Sequence, residues 1–447
     1  MTMISLTPLE VWIRNKIQIG LSTPDRSFQD ALNNYHLQRL KNVINYARQK
    51  SQFYARHLAL VPEEPLTTLA DMSQLPFTMP SDLSDNPWRF LTVHQEDITR
   101  IVTLRTSGST GKPKRIFFTQ EDLELTIDFF AIGMSTFVKP GQRVLILLPG
   151  DQPDSVGELL ARGLKRIKVD SFAHGPVRDI KTAIDKIVSL EIDSLVGIPT
   201  QVLALARSRK GAVLKKGMIK NVLLSTDYVP QSIIKSLEEI WGCSVFNHYG
   251  MTEMGLGGGV ECDAHNGYHL READLYFEVI NPETGEIIDD GSSGEIVFTT
   301  LTRKGMPLIR YRTGDIARFI REPCPCGTVL RRMECVRGRW DGRVFLGMGQ
   351  TITLPEMDEA LFSVPWLLNY RVTMTNHNER ILLGIEVYAD SDHFHQGPEV
   401  TRVLRDIPQI SKAIERKSLE LGPVQFREDD WFTTGVAKRG IIVNERG

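Results

Sequence analysis

Thr106-Ser107-Gly108-Ser109-Thr110-Gly111-Lys112-Pro113-Lys114 follows the β-rich run Arg100–Leu104. Its two glycines let backbone N–H groups turn toward an anion, its hydroxyls donate to phosphate oxygens, and Lys112 and Lys114 add charge. A Walker A loop needs a glycine five residues before Gly111 and a Ser or Thr after the lysine; Thr106 and Pro113 stand there instead. Taken alone the loop also reads as a solvated Gly/Ser turn, so the flanking sequence has to decide whether it handles phosphate.

Downstream, strand-like runs at 143–148, 166–170, 194–197 and 221–225 alternate with helix-like stretches at 176–190 and 231–241, the pattern of a parallel, helix-flanked sheet. Upstream, 28–52 carries a helical apolar rhythm and 60–87 is a Pro-punctuated loop. From 270 to 320 the character changes. Short strands at 275–280, 294–300 and 315–320, joined by Asn281-Pro282-Glu283-Thr284-Gly285 and Asp290-Gly291, read as antiparallel. After Asp341 comes a block with its own helix (355–362) and strands (370–375, 380–388). The expected fold is α/β: an N-terminal core over 1–340, with an antiparallel subdomain near 262–335, and a small mobile α+β lid over 341–447.

At 447 residues two or three domains are expected. With a net charge of −2, the chain shows no bulk attraction to nucleic acid or an anionic membrane, so an anionic substrate needs local groups to hold it. The first twenty residues lack the apolar core of a signal peptide, and no apolar run approaches the ~20 residues of a membrane span. Five cysteines without an export signal point to reduced thiols in the cytoplasm.

Four further segments complete a set with the loop. They are Asn247-His248-Tyr249-Gly250-Met251-Thr252-Glu253, Arg310-Tyr311-Arg312-Thr313-Gly314-Asp315, Gly338-Arg339-Trp340-Asp341 and Gly435-Val436-Ala437-Lys438-Arg439-Gly440. In this order the chain resembles the adenylate-forming superfamily of acyl-CoA synthetases, adenylation domains and luciferases, and most of all the phenylacetate-CoA ligase group, over residues 30–447. The resemblance implies that Thr106–Lys114 orients the β- and γ-phosphates of ATP. It gives Tyr249 the adenine face, Thr252 the α-phosphate and Glu253 a Mg²⁺ ligand. Asp315 would accept both ribose hydroxyls. Arg339 would reach ribose and phosphate, with Asp341 as hinge and Gly342 where the family usually has a second acid. Lys438 would offset charge as two anions approach, with Arg439 a neighbouring rival. Leu224-Ser225-Thr226-Asp227 matches the adenine-edge segment more loosely.

The resemblance further implies a structural zinc. Cys324-Pro325-Cys326-Gly327 is a compact ligand pair, and some relatives join such a pair to an upstream Cys…His, here Cys262 and His269. Cys335 is an alternative ligand; Cys243 reads as core. The implied activity is conversion of a carboxylic acid to an acyl-adenylate with ATP and Mg²⁺, then a thioester with coenzyme A. A carrier-protein thiol or an amine as acceptor, and a non-catalytic nucleotide-binding protein, stay open at this point, as does a homodimer. The acyl pocket is expected near 150–175, 197–203 and 247–259, with Phe172 and His174 as candidate walls. Asp151–Ser155 departs from the family's Gly/aromatic-rich segment, and the bare run Gly255 and Gly257–Gly259 suggests room for a bulky acid.

Overall fold

A computed structural model describes residues 5–104, 113–377, 380–428 and 439–444. By its contacts the chain divides into two compact units interleaved along the sequence: 1–139, 153–168 and 247–336 in one, 140–152, 169–246 and 337–447 in the other.

The first unit holds helix Pro8–Lys16 and then the long helix Asp25–Lys50, which buries Leu32, His36, Leu40, Val43 and Ala47 at three- and four-residue spacing. A hairpin follows, Ile98–Leu104 against Lys114–Thr119, closing with Leu104 opposite Lys114. The rest of the phosphate-loop motif, Thr106 to Lys112, lies outside the described residues. Helix Gln120–Met134 starts at a capping box: the Thr119 hydroxyl takes the Asp122 N–H, and the Asp122 carboxylate takes the Thr119 N–H. Helix Val156–Arg166 packs on it so closely that a Cβ on Gly163 would lie 3.1 Å from that of Phe130. Strands Leu275–Ile280, Gly294–Thr300 and Tyr311–Ala317 form an antiparallel sheet. A second antiparallel arrangement runs from His248-Tyr249 through Gly259–Glu261, Tyr268–Leu270 and Arg332–Met333 to Phe319–Ile320.

In the second unit Asp170–Ala173, Arg143–Ile146, Ser194–Gly197 and Asn221–Leu224 are parallel neighbours in that order. Helices Ile180–Ser189, Pro199–Arg207 and Gln231–Trp241 flank them, the last ending at Gly242 with φ 67°. The segment after Asp341 holds helix Leu354–Leu361 and the antiparallel pair Asn369–His377 and Arg380–Tyr388, flanked in parallel by Ile442–Asn444 and Leu419–Arg427. Val222 and Leu237 share one buried apolar cluster with Met357, Phe362 and Leu383, so this segment packs continuously with the parallel layer. Arg207 ties the two further, donating to the carbonyls of Phe362, Val364 and Leu367 at 2.8 Å each.

Three local readings are corrected. The strand expected at 166–170 is the end of helix Val156–Arg166, whose Leu159, Leu160 and Leu164 make a buried helical stripe; Lys168 turns at φ 58° and the strand starts at Asp170. The strand expected at 315–320 is split, because Tyr311–Ala317 pairs with Gly294–Thr300 while Phe319–Ile320 pairs with Arg332–Met333. Short helical turns at Leu69–Gln74 and Pro80–Asp85 interrupt the expected loop at 60–87, each started by an aspartate (Asp71, Asp82) reaching back to the backbone N–H before the turn.

Candidate functional site

Three of the motifs meet inside the first unit. Glu253 lies in the turn Thr252–Met254, closed by Gly255 at φ 76°, and its side chain is 4 % exposed. Its Oε1 accepts from Lys114 Nζ at 2.5 Å and from the Tyr311 hydroxyl at 3.2 Å, and Lys114 also reaches that hydroxyl at 3.2 Å. Burial pushes the Glu253 carboxyl up, but the Lys114 charge and hydrogen bond, aided by Tyr311, outweigh it and hold the group below the ordinary glutamate value. A buried carboxylate is thus kept ionised, the state in which it can bind a hard cation.

The next pair joins two segments sixty-six residues apart: the Tyr249 hydroxyl donates to Asp315 Oδ2 at 2.9 Å. Tyr249 also stacks on Tyr268 with ring centroids 5.7 Å apart, and the Thr313 hydroxyl takes the Asp315 N–H at 3.0 Å. Asn247 is buried, its N–H given to Glu261 and its amide to Cys335. His248 packs near Phe129 and Phe130, and burial lowers it to about 4, so it stands neutral. Gly250 admits no side chain, since a Cβ would come within 2.6 Å of the Leu256 carbonyl oxygen.

The glycines after Glu253 do not leave the space expected of them. A Cβ on Gly257 would meet Phe129 at 2.4 Å and one on Gly258 would meet the Met254 sulfur at 2.8 Å. Their bareness admits these neighbours, not a bulky acid.

Two residues missed by the sequence reading support the cluster. Arg303, buried, donates to the Glu253 carbonyl at 2.8 Å and the Phe117 carbonyl at 3.0 Å and lies over the Phe118 ring. Burial lowers it to about 10. Asp122, beyond its capping role, accepts the N–H groups of Lys304 and Gly305 and so fixes the segment that carries Arg303. The only sequence signal was Thr119-x-x-Asp122, a helix-start pattern that says nothing of the distant loop.

In the second unit, Ser225 continues from strand Asn221–Leu224 with its N–H on the Gly197 carbonyl. Thr226 follows at φ 82°, a left-handed conformation costly for a β-branched residue. Asp227 then accepts the N–H of Tyr228. Arg339 Nε pairs with Asp341 at 3.0 Å on the surface. Lys438 lies outside the described residues. Its neighbour Arg439 is committed elsewhere: it pairs with buried Asp358 at 2.7 Å and lies 4.6 Å from the Tyr370 ring centroid. Burial raises Asp358 to about 6 in spite of that partner.

Cys262, His269, Cys324 and Cys326 converge in the first unit, all buried, with every ligand atom within 4.8 Å of the others. Cys262 Sγ and Cys324 Sγ are 3.6 Å apart, as are Cys326 Sγ and His269 Nε2. Thiolates about 2.3 Å and an imidazole about 2.0 Å from a tetrahedral ion stand roughly 3.5–3.8 Å from one another, and these two separations match that spacing. A hydrogen bond from Cys262, against burial, holds Cys326 well below the ordinary thiol range. Cys335 is not in the quartet; its thiol faces Glu261. Cys243 is core, its thiol raised by burial to about 12.

The family model described as AMP-binding enzyme matches residues 33–301, more than half of the chain. A phenylacetate-coenzyme A ligase of Thermus thermophilus is 28% identical over 81% of this chain and 83% of its own length. One from Aromatoleum evansii is 27% identical over 93% and 96%. Among solved structures, a 2-hydroxyisobutyryl-CoA ligase in the postadenylation state, in complex with R3-HIB-AMP, aligns with a TM-score of 0.77 at 21% identity, over 95% of this chain and 90% of that one. No helix among the described residues is long and apolar enough to cross a membrane.

Proposed function

The chain belongs to the AMP-binding enzyme family, and on that premise we propose that it activates a carboxylic acid with ATP and passes the acyl group to coenzyme A. A carboxylate oxygen attacks the α-phosphorus of ATP in line, and pyrophosphate leaves with the electron pair of the broken P–O bond. The thiolate of coenzyme A then attacks the acyl carbon and AMP departs. The likeness to two phenylacetate-coenzyme A ligases, over 81% and 93% of this chain, supports an aryl or related acid as substrate.

The observation that carries the reading is the Lys114–Tyr311–Glu253 cluster beside the Tyr249–Asp315 pair, because both consist of motif residues. Asp315 offers its carboxylate to the ribose hydroxyls and Tyr249 its ring to adenine; Thr252 donates to the α-phosphate. Thr106, Ser107, Gly108, Ser109, Thr110, Gly111 and Lys112 orient the β- and γ-phosphates. Glu253 holds Mg²⁺, which when bound supplies charge neutralisation at the phosphates. Ser225, Thr226, Asp227, Asn247, His248 and Gly250 shape the adenosine contacts. Arg339 and Lys438 carry the remaining phosphate-facing roles, and Asp341 is the hinge of a lid over 341–447.

The quartet Cys262, His269, Cys324 and Cys326 holds a structural zinc, since four protein ligands leave no open position for chemistry. Buried thiols of this kind and the use of ATP and coenzyme A support a cytoplasmic location.

Pyrophosphate and AMP release, measured over a library of acids with and without coenzyme A, tests the reading. AMP release accelerated by coenzyme A is expected. Pyrophosphate exchange indifferent to coenzyme A would move the acceptor to a carrier thiol or an amine, and silence across the library would remove the activity. In the same assay Lys438→Ala is expected to cripple adenylate formation yet spare thioester formation from supplied acyl-adenylate; equal loss of both defeats that assignment.

A further inference from the structure

Lys114 and Glu253 meet side chain to side chain, yet they stand 139 residues apart in the chain, and one buried residue joins their backbones from behind. Arg303 donates through Nη1 to the Glu253 carbonyl at 2.8 Å and through Nη2 to the Phe117 carbonyl at 3.0 Å. Phe117 lies on strand Lys114–Thr119, three residues past Lys114. A single planar guanidinium therefore sets the spacing between the strand that begins at Lys114 and the turn that carries Glu253.

The guanidinium is itself held in place. Its Cζ lies 4.4 Å from the Phe118 ring centroid. Just past it, the Asp122 carboxylate accepts the N–H groups of Lys304 at 2.8 Å and Gly305 at 3.0 Å. The Glu253 turn is tied at a second point, where the Thr126 hydroxyl donates to the Gly255 carbonyl at 2.9 Å. Arg303 Nε is buried with no hydrogen-bond partner among the described residues, so the donors in use go to main-chain carbonyls. A core built for stability alone would fill such a site with an apolar side chain or pair the cation with an acid. Contacts to the two segments that carry Lys114 and Glu253 are what fixing their spacing requires.

We propose that Arg303 is a positioning residue for the metal-binding carboxylate: it holds the Glu253 turn against strand Lys114–Thr119, so that the carboxylate stands ready for a hard cation on the phosphates of ATP. The role rests on ATP as the substrate proposed above. Arg303 acts through the backbone, so its loss falls on the metal-dependent part of nucleotide binding and not on the adenosine contacts of Tyr249 and Asp315.

The test is calorimetric titration of the full chain with ATP, once with Mg²⁺ and once with EDTA, in the absence of any acid so that nothing turns over. The ratio of the two dissociation constants reads what the metal adds. In the wild type Mg²⁺ is expected to tighten ATP binding at least about tenfold. Arg303→Gln should remove most of that gain. Arg303→Lys, which keeps the charge but gives up the two-pronged fork, should shrink it at least about fivefold, with metal-free ATP binding changed by less than about twofold in both. A general loosening of the fold would instead weaken metal-free binding as well, and Arg303→Lys carries the test where Arg303→Gln fails to fold. On a Glu253→Gln background Arg303→Lys should have no further effect on the gain, because it acts through that carboxylate. A gain that survives both Arg303 variants, or effects of Arg303→Lys and Glu253→Gln that simply add, overturns the proposal. A wild-type chain that binds no ATP removes the nucleotide reading and this role with it, whereas ATP binding that gains nothing from Mg²⁺ removes the role and leaves the nucleotide site standing.

Discussion

Two buried polar clusters in one unit solve the same problem in opposite ways. Around Glu253 the negative charge is met from within, by the Lys114 ammonium and the Tyr311 hydroxyl. Around Cys262 the protein supplies three thiols and an imidazole that have mainly each other for partners, and the His269 Nδ1 is buried with no hydrogen-bond partner among the described residues. The first cluster is satisfied by the protein's own groups. The second is a set of three thiols and an imidazole converging on one point, the donor set of a closed tetrahedral zinc site. The first arrangement suits the ligand site proposed above, and the second suits the proposed structural zinc.

The difference breaks most readily at the quartet. Cys324→Ser is expected to take zinc from one per chain to none and to lower the melting temperature by roughly 10 °C or more, because ion binding and folding of the loops share one free energy. Metal analysis with calorimetry checks it. A wild-type chain without stoichiometric zinc, or a variant with unchanged melting, would place the quartet among ordinary buried thiols.

At the nucleotide cluster the expected damage is smaller in stability and larger in chemistry. Glu253→Gln removes the partner of Lys114, and breaking a buried ion pair from one side costs about 3 kcal/mol. Adenylate formation should fall by roughly a hundredfold or more, as for loss of a preorganised electrostatic group. Pyrophosphate exchange beside a urea melt measures both, and near-wild-type exchange would mean that Glu253 serves packing alone.

How much of this was legible beforehand follows from what each residue depends on. Tyr249, Glu253, Asp315 and the Cys/His quartet lie in short motifs, and the resemblance to known ligases, more than residue type and spacing alone, is what implied their roles. Tyr311 sat inside a quoted motif, yet its part in bridging Lys114 and Glu253 needed the pairing of distant strands. Arg303 and Asp122 are single charged residues whose meaning arises only on burial, when Arg303 finds two carbonyls and Asp122 two amides of a remote loop. A strand was expected at 166–170 because Arg166-Ile167-Lys168-Val169 alternates like one, while the four-residue spacing of Leu160 and Leu164 carries the helix through Arg166. The unit division was illegible because residues after Asp341 bury their apolar face with the parallel layer, a contact no single window contains.

Acid sharpens the contrast further. The folded Glu253 carboxyl titrates below the ordinary value of 4.5, so its contribution to stability is present above that pH and is lost as pH falls through the lowered folded value. Wild type should therefore lose more stability between about pH 5 and pH 3 than Glu253→Gln does. Parallel melts of the two across that window, with the same slope, would show that Lys114 and Tyr311 do not govern the carboxylate.

The smallest expected effect falls on the pair that needs no ion. Tyr249→Phe keeps the ring that stacks on Tyr268 and removes only the hydroxyl that donates to Asp315 at 2.9 Å. A hydrogen bond to a charged acceptor contributes about 1.5–3 kcal/mol, but Asp315 in the variant can turn its freed lone pair to a ribose hydroxyl, recovering part of that loss when nucleotide binds. The variant should melt a few degrees lower without ligand, and ATP should restore more stability to it than to the wild type. The KM for ATP should change by less than about threefold, whereas Asp315→Asn, which removes the charge and replaces one accepting oxygen by an NH₂ donor, should raise it about tenfold. If instead the two variants raise the KM equally, the tyrosine hydroxyl is part of the ligand contact and not a placeholder for it, and the self-compensating character assigned to this cluster would be lost at its nucleoside end.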